Sequence, residues 1–166
     1  MKFYNILIFI ACIHITHTVE KPPIFLLHGF MGWGKDELGE FNYWGGHNNI
    51  ETSLIKEGYN VFTLSVGPVS SNWDRACEAY YQIIGGSVDY GYAHSKKYNL
   101  IQKPKNKDFD GLYPEWNENN PIHIIAHSQG GQTARMLEIL LKESFQGEGS
   151  FLLTNKCSDW IKSITT

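Results

Sequence analysis

Residues Ile122–Met136 read IHIIAHSQGGQTARM, and this stretch decides the fold because it joins a strand pattern to a helix pattern through Ser128. Ile122–Ala126 is a short apolar run typical of a buried strand, and Thr133–Lys142 is rich in helix formers. A serine on so sharp a turn takes a strained backbone conformation that presents its hydroxyl at the edge of the sheet. The first N–H groups of the following helix point at an anion forming beside it. The stretch therefore predicts a nucleophile elbow.

The residues around Ser128 leave two interpretations open. The usual elbow pattern is G-x-S-x-G, and here Ala126 stands in place of the first glycine. Ala126 and Gly130 are both small, as a close crossing of strand and helix requires. A turn of this composition can also be an ordinary strand-to-helix connection without chemistry.

A second motif, early in the chain, favours the catalytic interpretation. His28–Gly32 (HGFMG) follows the apolar run Ile24–Leu27. A loop of this type after an early strand is where esterase-like hydrolases place one backbone donor of the oxyanion hole. We therefore expect Ser128 to be a nucleophile, with the N–H groups of Phe30 and Gln129 as the oxyanion donors.

Length and composition restrict the class of protein. The chain has 166 residues, which is enough for one domain but short for a complete α/β hydrolase, since large α/β domains run to about 200–250 residues. Its hydrophobic content of 42% and aromatic content of 14% are typical of a globular protein. The net charge of −3 gives no sign of nucleic-acid binding.

The first eighteen residues have the features of a secretory signal peptide. Lys2 provides a positive start, Tyr4–Ile13 is nearly all apolar, and Thr18 is small enough to precede a cleavage site. An uncleaved N-terminal anchor is the alternative. No later stretch approaches the roughly 18 apolar residues that a membrane span needs, so we expect a secreted, extracellular protein whose mature part, residues 19–166, has no transmembrane segment.

Cleavage would remove Cys12 and leave Cys77 and Cys157. Two cysteines in a secreted chain can form a disulfide. Cys77 falls inside a helix pattern, where a buried thiol is an equally good interpretation, and the sequence leaves the two open.

Strand and helix patterns alternate along the mature chain. Such alternation builds a mostly parallel sheet with helices on both faces, which is an α/β fold. A polar stretch at about 87–121 is too long for a connecting loop, so we expect an excursion above the sheet. The expected strands are Ile24–Leu27, Val61–Val66, Ile122–Ala126 and Trp160–Thr165. The expected helices are Asn49–Glu57, a helix capped by Ser71 or Asn72 that runs to about Ile84, and a helix that follows the elbow and contains the stretch Thr133–Lys142.

Four stretches closely resemble the Geobacillus/staphylococcal family of secreted triacylglycerol lipases. They are Pro23–Gly34, Tyr43–Gly46, Ser65–Gly91 and Ile122–Leu137, and the last includes the alanine in place of the first elbow glycine. The resemblance implies an α/β-hydrolase fold, secretion and hydrolysis of acylglycerol esters. Carried over, Ser128 is the nucleophile, Phe30 and Gln129 supply the oxyanion hole, and the partners are a lipid ester substrate and, transiently, a lipid interface.

The same resemblance implies a structural zinc held by two acids and two histidines. Asp74 and His94 match two of these ligands, but the third position is Leu100 and the fourth lies beyond this sequence. A closed structural zinc site needs about four N, O or S ligands. Zinc is therefore doubtful, and no cofactor is expected for the chemistry. Alternatively, Asp74 is a helix N-terminal residue and His94 a surface residue.

The triad partners of the serine are missing from this sequence. In this fold the acid and then the histidine follow the serine, yet none of the 38 residues after Ser128 is a histidine. Losing triad members removes a factor of about 10⁴ to 10⁶ in rate. We expect the N-terminal part of a lipase, truncated after the elbow helix and one more strand, with little or no activity.

A non-catalytic function is the alternative. A secreted remnant could bind lipid or a partner through the aromatic residues Phe30, Trp33, Trp44 and Trp73. Aromatic residues are also common in cores, so burial of their side chains would count against this interpretation.

Overall fold

The computed structural model describes residues 21–145, 148 and 159–166. The expected signal peptide at 1–18, Cys12 and Cys157 lie outside these residues. None of the helices in the described ranges is long and apolar enough to cross a membrane.

Strands and helices follow one another largely as the sequence patterns predict. Asn49 and Ser71 cap the first two helices through side-chain oxygens that accept from Thr52 and Asp74 N–H groups. In chain order the elements are β1 Ile24–Leu27, α1 Ile50–Lys56, β2 Val61–Leu64, α2 Asn72–Ile84, β3 Gly86–Ser87, α3 Tyr92–Tyr98, β4 Asp108–Phe109, β5 Ile122–Ala126, α4 Gln129–Lys142 and β6 Ile161–Thr165.

The central sheet is parallel throughout its described strands, in the order β2-β1-β5-β6. Ile24 of β1 is in register with Val61 of β2 and with His123 of β5. Strands β3 and β4 form a separate antiparallel pair. The expected α/β class with a mostly parallel sheet is confirmed.

One face of the sheet is covered by α4, which contacts β1, β5 and β6 and packs against α2. The register places Phe25, Phe62 and Ile124 side by side on this face, and the Phe25 and Phe62 rings stack at 5.1 Å. Core side chains of the two helices, such as Ile83 and Leu137, are fully buried in the same cluster. This packing fixes the carboxyl ends of β1 and β5, where the two loops of the candidate site begin.

Two elements extend further than their composition indicates. Helix α4 begins at Gln129, directly after the elbow as expected and four residues before the helix-forming stretch Thr133–Lys142, because close packing overrides the weak helix propensity of Gly130 and Gly131. The excursion is also more regular than its composition indicates, since it contains α3 and is tied down by the β3–β4 pair.

Candidate active site

Ser128 lies at the turn between β5 and α4, with φ 56° and ψ −124°. This is a left-handed conformation that costs a non-glycine residue about 1–3 kcal/mol. The side chain is exposed, and its hydroxyl has no hydrogen-bond partner within the described residues. The strained turn and the presented hydroxyl are those predicted for the elbow.

Two glycines allow the elbow to approach strand β1. A β-carbon on Gly130 would lie 2.3 Å from the carbonyl oxygen of Leu27 and 2.8 Å from that of His28. A β-carbon on Gly29 would lie 2.8 Å from the carbonyl oxygen of His127 and 2.9 Å from the Ser128 β-carbon. The loop after β1 therefore lies directly against the serine.

The two N–H groups expected to form the oxyanion hole belong to these loops. In the described part of the chain, neither Phe30 N–H nor Gln129 N–H donates to a protein acceptor. The neighbouring Met31 N–H donates to the Pro68 carbonyl at 2.9 Å, which anchors the loop from its other side. Among the described residues, two amides without a protein acceptor thus flank a serine whose hydroxyl also has no partner.

His28 is fully buried beneath this loop and has a structural role. Its Nε2 accepts from Val66 N–H at 3.2 Å, so Nδ1 carries the proton and donates to the Gly29 carbonyl at 2.9 Å. Burial lowers the pKa of the imidazole below its usual value. His28 is therefore held neutral and is committed to shaping the loop.

Arg75 of α2 is the principal site residue that the sequence patterns do not indicate. Its side chain is 0% exposed. The guanidinium donates to the carbonyls of His28 and Gly67, the latter at 2.7 Å, and to Thr133 Oγ1 at 3.0 Å. Burial lowers the pKa of Arg75. One buried cation thus connects the loop after β1, the loop after β2 and helix α4.

Glu78, one turn further along α2, continues this network. Its Oε2 accepts from Gly67 N–H at 2.7 Å, and its Oε1 accepts from Tyr90 Oη at 2.6 Å and from Lys107 Nζ. Burial and the hydrogen bond to Glu78 raise the pKa of Tyr90. Arg75 and Glu78 together hold both polar backbone groups of Gly67.

Tyr43 is a further residue that the sequence patterns did not single out. Its hydroxyl lies 2.6 Å from His127 Nδ1 and 3.1 Å from the Gly29 nitrogen. The His127 side chain is thereby engaged by Tyr43 and away from Ser128, as expected for the residue adjacent to an elbow serine.

Asp74 and His94, the two residues matched to zinc ligands, contact each other directly. His94 Nε2 lies 3.0 Å from Asp74 Oδ1, and the His94 ring stacks on Trp73 at 4.8 Å. The alternative that His94 is a surface residue is wrong, because its side chain is only 10% exposed. Leu100 lines the same groove, of about 750 Å³, as Asp74 and His94. No cluster of three His, Cys, Asp or Glu residues suited to a metal occurs among the described residues.

The carboxylate of Glu148 lies beside this pair but is already occupied. Its two oxygens accept from the N–H groups of Ala93 and His94, at 2.9 and 2.7 Å. A carboxylate only accepts, so Nε2 of His94 must carry the proton that it shares with Asp74. Within the described residues the groove offers Asp74 and His94 as N or O ligands, with Leu100 beside them, and two ligands do not fit a closed zinc site, which needs about four.

Two other candidate residues are engaged elsewhere. His123 lies on the sheet, where its Nδ1 is 2.7 Å from Ser163 Oγ of the neighbouring strand. Cys77 is fully buried in α2, and burial raises its pKa well above the usual value. The thiol is thus in the core, and Cys157, with which it could pair, lies outside the described residues.

Of the four aromatic residues considered for a binding surface, only Phe30 is largely exposed, at 63%. Trp33, Trp44 and Trp73 are partly buried. Met31, the next residue, is exposed at 61%, and its N–H bond to Pro68 brings it beside the loop that contains Val69, exposed at 67%.

The sequence matches a known family and individual relatives. Residues 20–159 match a family model described as "Lipase-like, C-terminal domain". The chain is 38% identical over 161 residues to Lipase 2 of Staphylococcus aureus, and 40% identical over 160 residues to Lipase 1 of the strain MRSA252. Each alignment covers 89% of this chain and 23% of the relative, so the chain spans less than a quarter of the length of these proteins.

Solved structures give a consistent result. Lipase 1 from Pelosinus fermentans superposes with a TM-score of 0.79 at 46% identity, over 86% of this chain and 40% of that one. The Staphylococcus hyicus lipase has the same TM-score at 36% identity, over 84% of this chain and 39% of that one.

Proposed function

The chain belongs to the lipase-like C-terminal domain family, and from this premise we propose that Ser128 is the nucleophile of a carboxylic ester hydrolase that acts on acylglycerols. The observation that carries the proposal is the backbone of Ser128, at φ 56° between β5 and α4, with a hydroxyl that bonds to no group in the part of the chain that the structure describes. Backbone strain that the surrounding structure maintains at an exposed polar residue is typical of functional sites. An α/β-hydrolase fold is part of the same proposal.

In the proposed reaction Ser128 Oγ attacks the ester carbonyl, and the N–H groups of Phe30 and Gln129 stabilise the oxyanion. The alcohol leaves, and water then releases the acid from the acyl-enzyme. Each donor of such a hole typically lowers the activation free energy by about 2.7–4 kcal/mol. Both N–H groups lack a protein acceptor among the described residues, which supports this assignment.

We propose that the chain by itself turns over slowly, because no described histidine is bonded to Ser128. A free imidazole in solution could then act as the missing base. Hydrolysis of p-nitrophenyl butyrate should be accelerated by added imidazole in the unaltered protein, and much less in Ser128→Ala. Equal acceleration in both would refute Ser128 as the nucleophile, and fast hydrolysis without imidazole would refute the missing base.

We propose that no cofactor takes part and that Asp74 and His94 are held together by their own hydrogen bond, without zinc. The occupied carboxylate of Glu148 and the apolar Leu100 support this. Added zinc and added EDTA should each leave the midpoint of thermal unfolding unchanged. Leu100→His restores a third possible ligand in the groove and provides the positive control, since zinc should then raise the midpoint. A zinc-dependent shift in the unaltered protein would contradict the proposal.

A lipid-binding function without turnover is the second candidate, favoured by the exposed Phe30, Met31 and Val69. Phe30→Ala removes the ring but keeps the backbone N–H. It should weaken sedimentation with phosphatidylcholine vesicles, whereas Ile101→Ala, also on an exposed side chain, should not. Vesicle binding with no Ser128-dependent hydrolysis would favour this candidate.

We propose secretion on the basis of residues 1–18, and mass spectrometry of the exported protein would locate the cleavage site.

A further inference from the structure

Tyr43 connects the two loops that form the candidate site. Its oxygen lies 3.1 Å from the Gly29 nitrogen, in the loop after β1, and 2.6 Å from His127 Nδ1, in the turn after β5. An amide can only donate, so the Tyr43 oxygen accepts from Gly29 and its own proton goes to His127. One hydroxyl therefore bridges two loops whose anchoring residues are 98 positions apart in the sequence.

The ring of Tyr43 is held in place by its neighbours. It packs edge-on against Trp33 at 5.2 Å and against Trp44 at 5.6 Å. Its own turn is closed by two backbone hydrogen bonds between Asn42 and Gly46, at 2.9 and 3.0 Å. The hydroxyl is therefore presented from a pre-organised support, and little rotamer freedom is left to lose when it bonds.

The bridge acts where the separation of the loops matters most. A β-carbon on Gly29 would meet the Ser128 β-carbon at 2.9 Å and the Tyr43 oxygen at 3.2 Å. Phe30, whose N–H is proposed to bind the oxyanion, is the next residue along the chain. We propose that Tyr43 is a positioning residue, whose hydroxyl fixes the Phe30 N–H relative to Ser128. This inference rests on the proposed function of the serine.

Tyr43→Phe tests the bridge because it keeps the ring and removes only the hydroxyl. The probe is a p-nitrophenyl alkylphosphonate in imidazole buffer. A bond forms between Ser128 Oγ and phosphorus, p-nitrophenolate leaves, and the serine proton goes to imidazole. Small misplacements of reacting groups are costly, so the maximal labelling rate should fall about tenfold while the probe concentration for half-maximal rate stays constant. Tyr92→Phe, on an exposed ring, is the matched control and should label at the unaltered rate.

His127 provides a rescue that a purely structural role would not give. Asparagine places an oxygen acceptor close to the position of Nδ1, so His127→Asn should keep most of the labelling rate. His127→Leu has no acceptor and should fall as far as Tyr43→Phe. Equal rates for the two His127 variants would overturn the proposal.

Hydrogen exchange at the Gly29 amide separates this inference from the proposed function. Tyr43→Phe should speed that exchange about tenfold or more and leave Met31, whose N–H bonds to Pro68, unchanged. No labelling of Ser128 in the unaltered protein would refute the proposed function. The hydrogen bond from Gly29 to Tyr43 would then be tested by the Gly29 exchange rate alone. Unchanged labelling in Tyr43→Phe would refute the positioning role whatever the exchange shows.

Discussion

Replacement of Arg75 tests how the candidate site is held together. The guanidinium is 0% exposed and donates to the carbonyls of His28 and Gly67 and to Thr133 Oγ1. Arg75→Met keeps an apolar stem of similar length and removes all three donors. Thr133 retains Asn72 and Gln129 as partners, and the Gly67 carbonyl retains the Ser70 N–H at 3.4 Å. Among the described residues, the His28 carbonyl is therefore the group left without a partner.

The magnitude of the loss follows mainly from the His28 carbonyl, because the Gly67 carbonyl keeps a weaker hydrogen bond. Each buried group left unsatisfied costs about 1–3 kcal/mol, and some of this is recovered because the charge no longer has to be buried. We therefore expect Arg75→Met to lower the free energy of unfolding by about 2 kcal/mol. This is a large share of the 5–15 kcal/mol typical of a domain.

Arg75→Lys distinguishes geometry from charge. An ammonium retains the buried charge but lacks the planar fork that reaches acceptors in several directions. We expect its cost to be at least as large as that of methionine, at about 3–5 kcal/mol. Urea unfolding followed by the fluorescence of the five tryptophans measures both variants. A loss below about 1 kcal/mol for methionine, or full recovery with lysine, would refute the reasoning.

Three further perturbations address the elbow and the loop beneath it. Ser128→Gly should raise the free energy of unfolding by about 1 kcal/mol, because glycine relieves the positive φ; an unchanged urea midpoint would show that the turn stores no strain. Gly130→Ala should lower the free energy of unfolding by about 2–3 kcal/mol, because its methyl group would press on the Leu27 carbonyl. Gln132→Ala, on the exposed side of the same helix, should change it little. The folded state lowers the pKa of His28, so the unfolded chain binds its proton more readily, and stability should be lost as pH falls below about 6.5. His28→Gln should flatten the pH dependence of the thermal midpoint more than His123→Gln, and equal slopes for the two would count against His28.

The sheet could be predicted from the sequence because its strands are short apolar runs bounded by turn residues. Strands β1 and β5 match their predicted limits, and Ser71 caps α2 as one of the two alternatives expected. Helix α3 escaped prediction because its seven residues, YAHSKKY, carry no apolar period and Gly91 offers no side-chain cap.

The site was predictable only where its residues form local motifs. Ser128 and the loop at Phe30 each follow an apolar run that indicates a strand, so their places at the carboxyl ends of β5 and β1 could be inferred. Arg75 reaches His28 across 47 positions of sequence, and an arginine in an amphipathic helix normally indicates a solvated face. Tyr43 reaches His127 across 84 positions. Contacts of this range depend on the fold as a whole, and no spacing in the sequence encodes them.

Each of the five histidines in the described chain has an identifiable contact. His28 and His127 shape the two loops, and His94 and His123 bond to Asp74 and Ser163. His47 packs edge-on against Phe41. None of these five hydrogen-bonds to Ser128, so within the described residues the serine and its anion site are built without a proton acceptor.

A strained serine persists only where its surroundings determine the backbone more strongly than the strain opposes it. Here the backbone of Ser128 is held by close packing at Gly29 and Gly130, where no β-carbon would fit. The strain therefore belongs to the packing of β1 against the elbow and does not depend on a base. Stability and turnover should consequently respond separately. Ser128→Gly should gain stability and lose the protein-dependent part of imidazole-assisted hydrolysis, while loss of the Tyr43 hydroxyl should slow the reaction and leave the backbone of the turn unchanged.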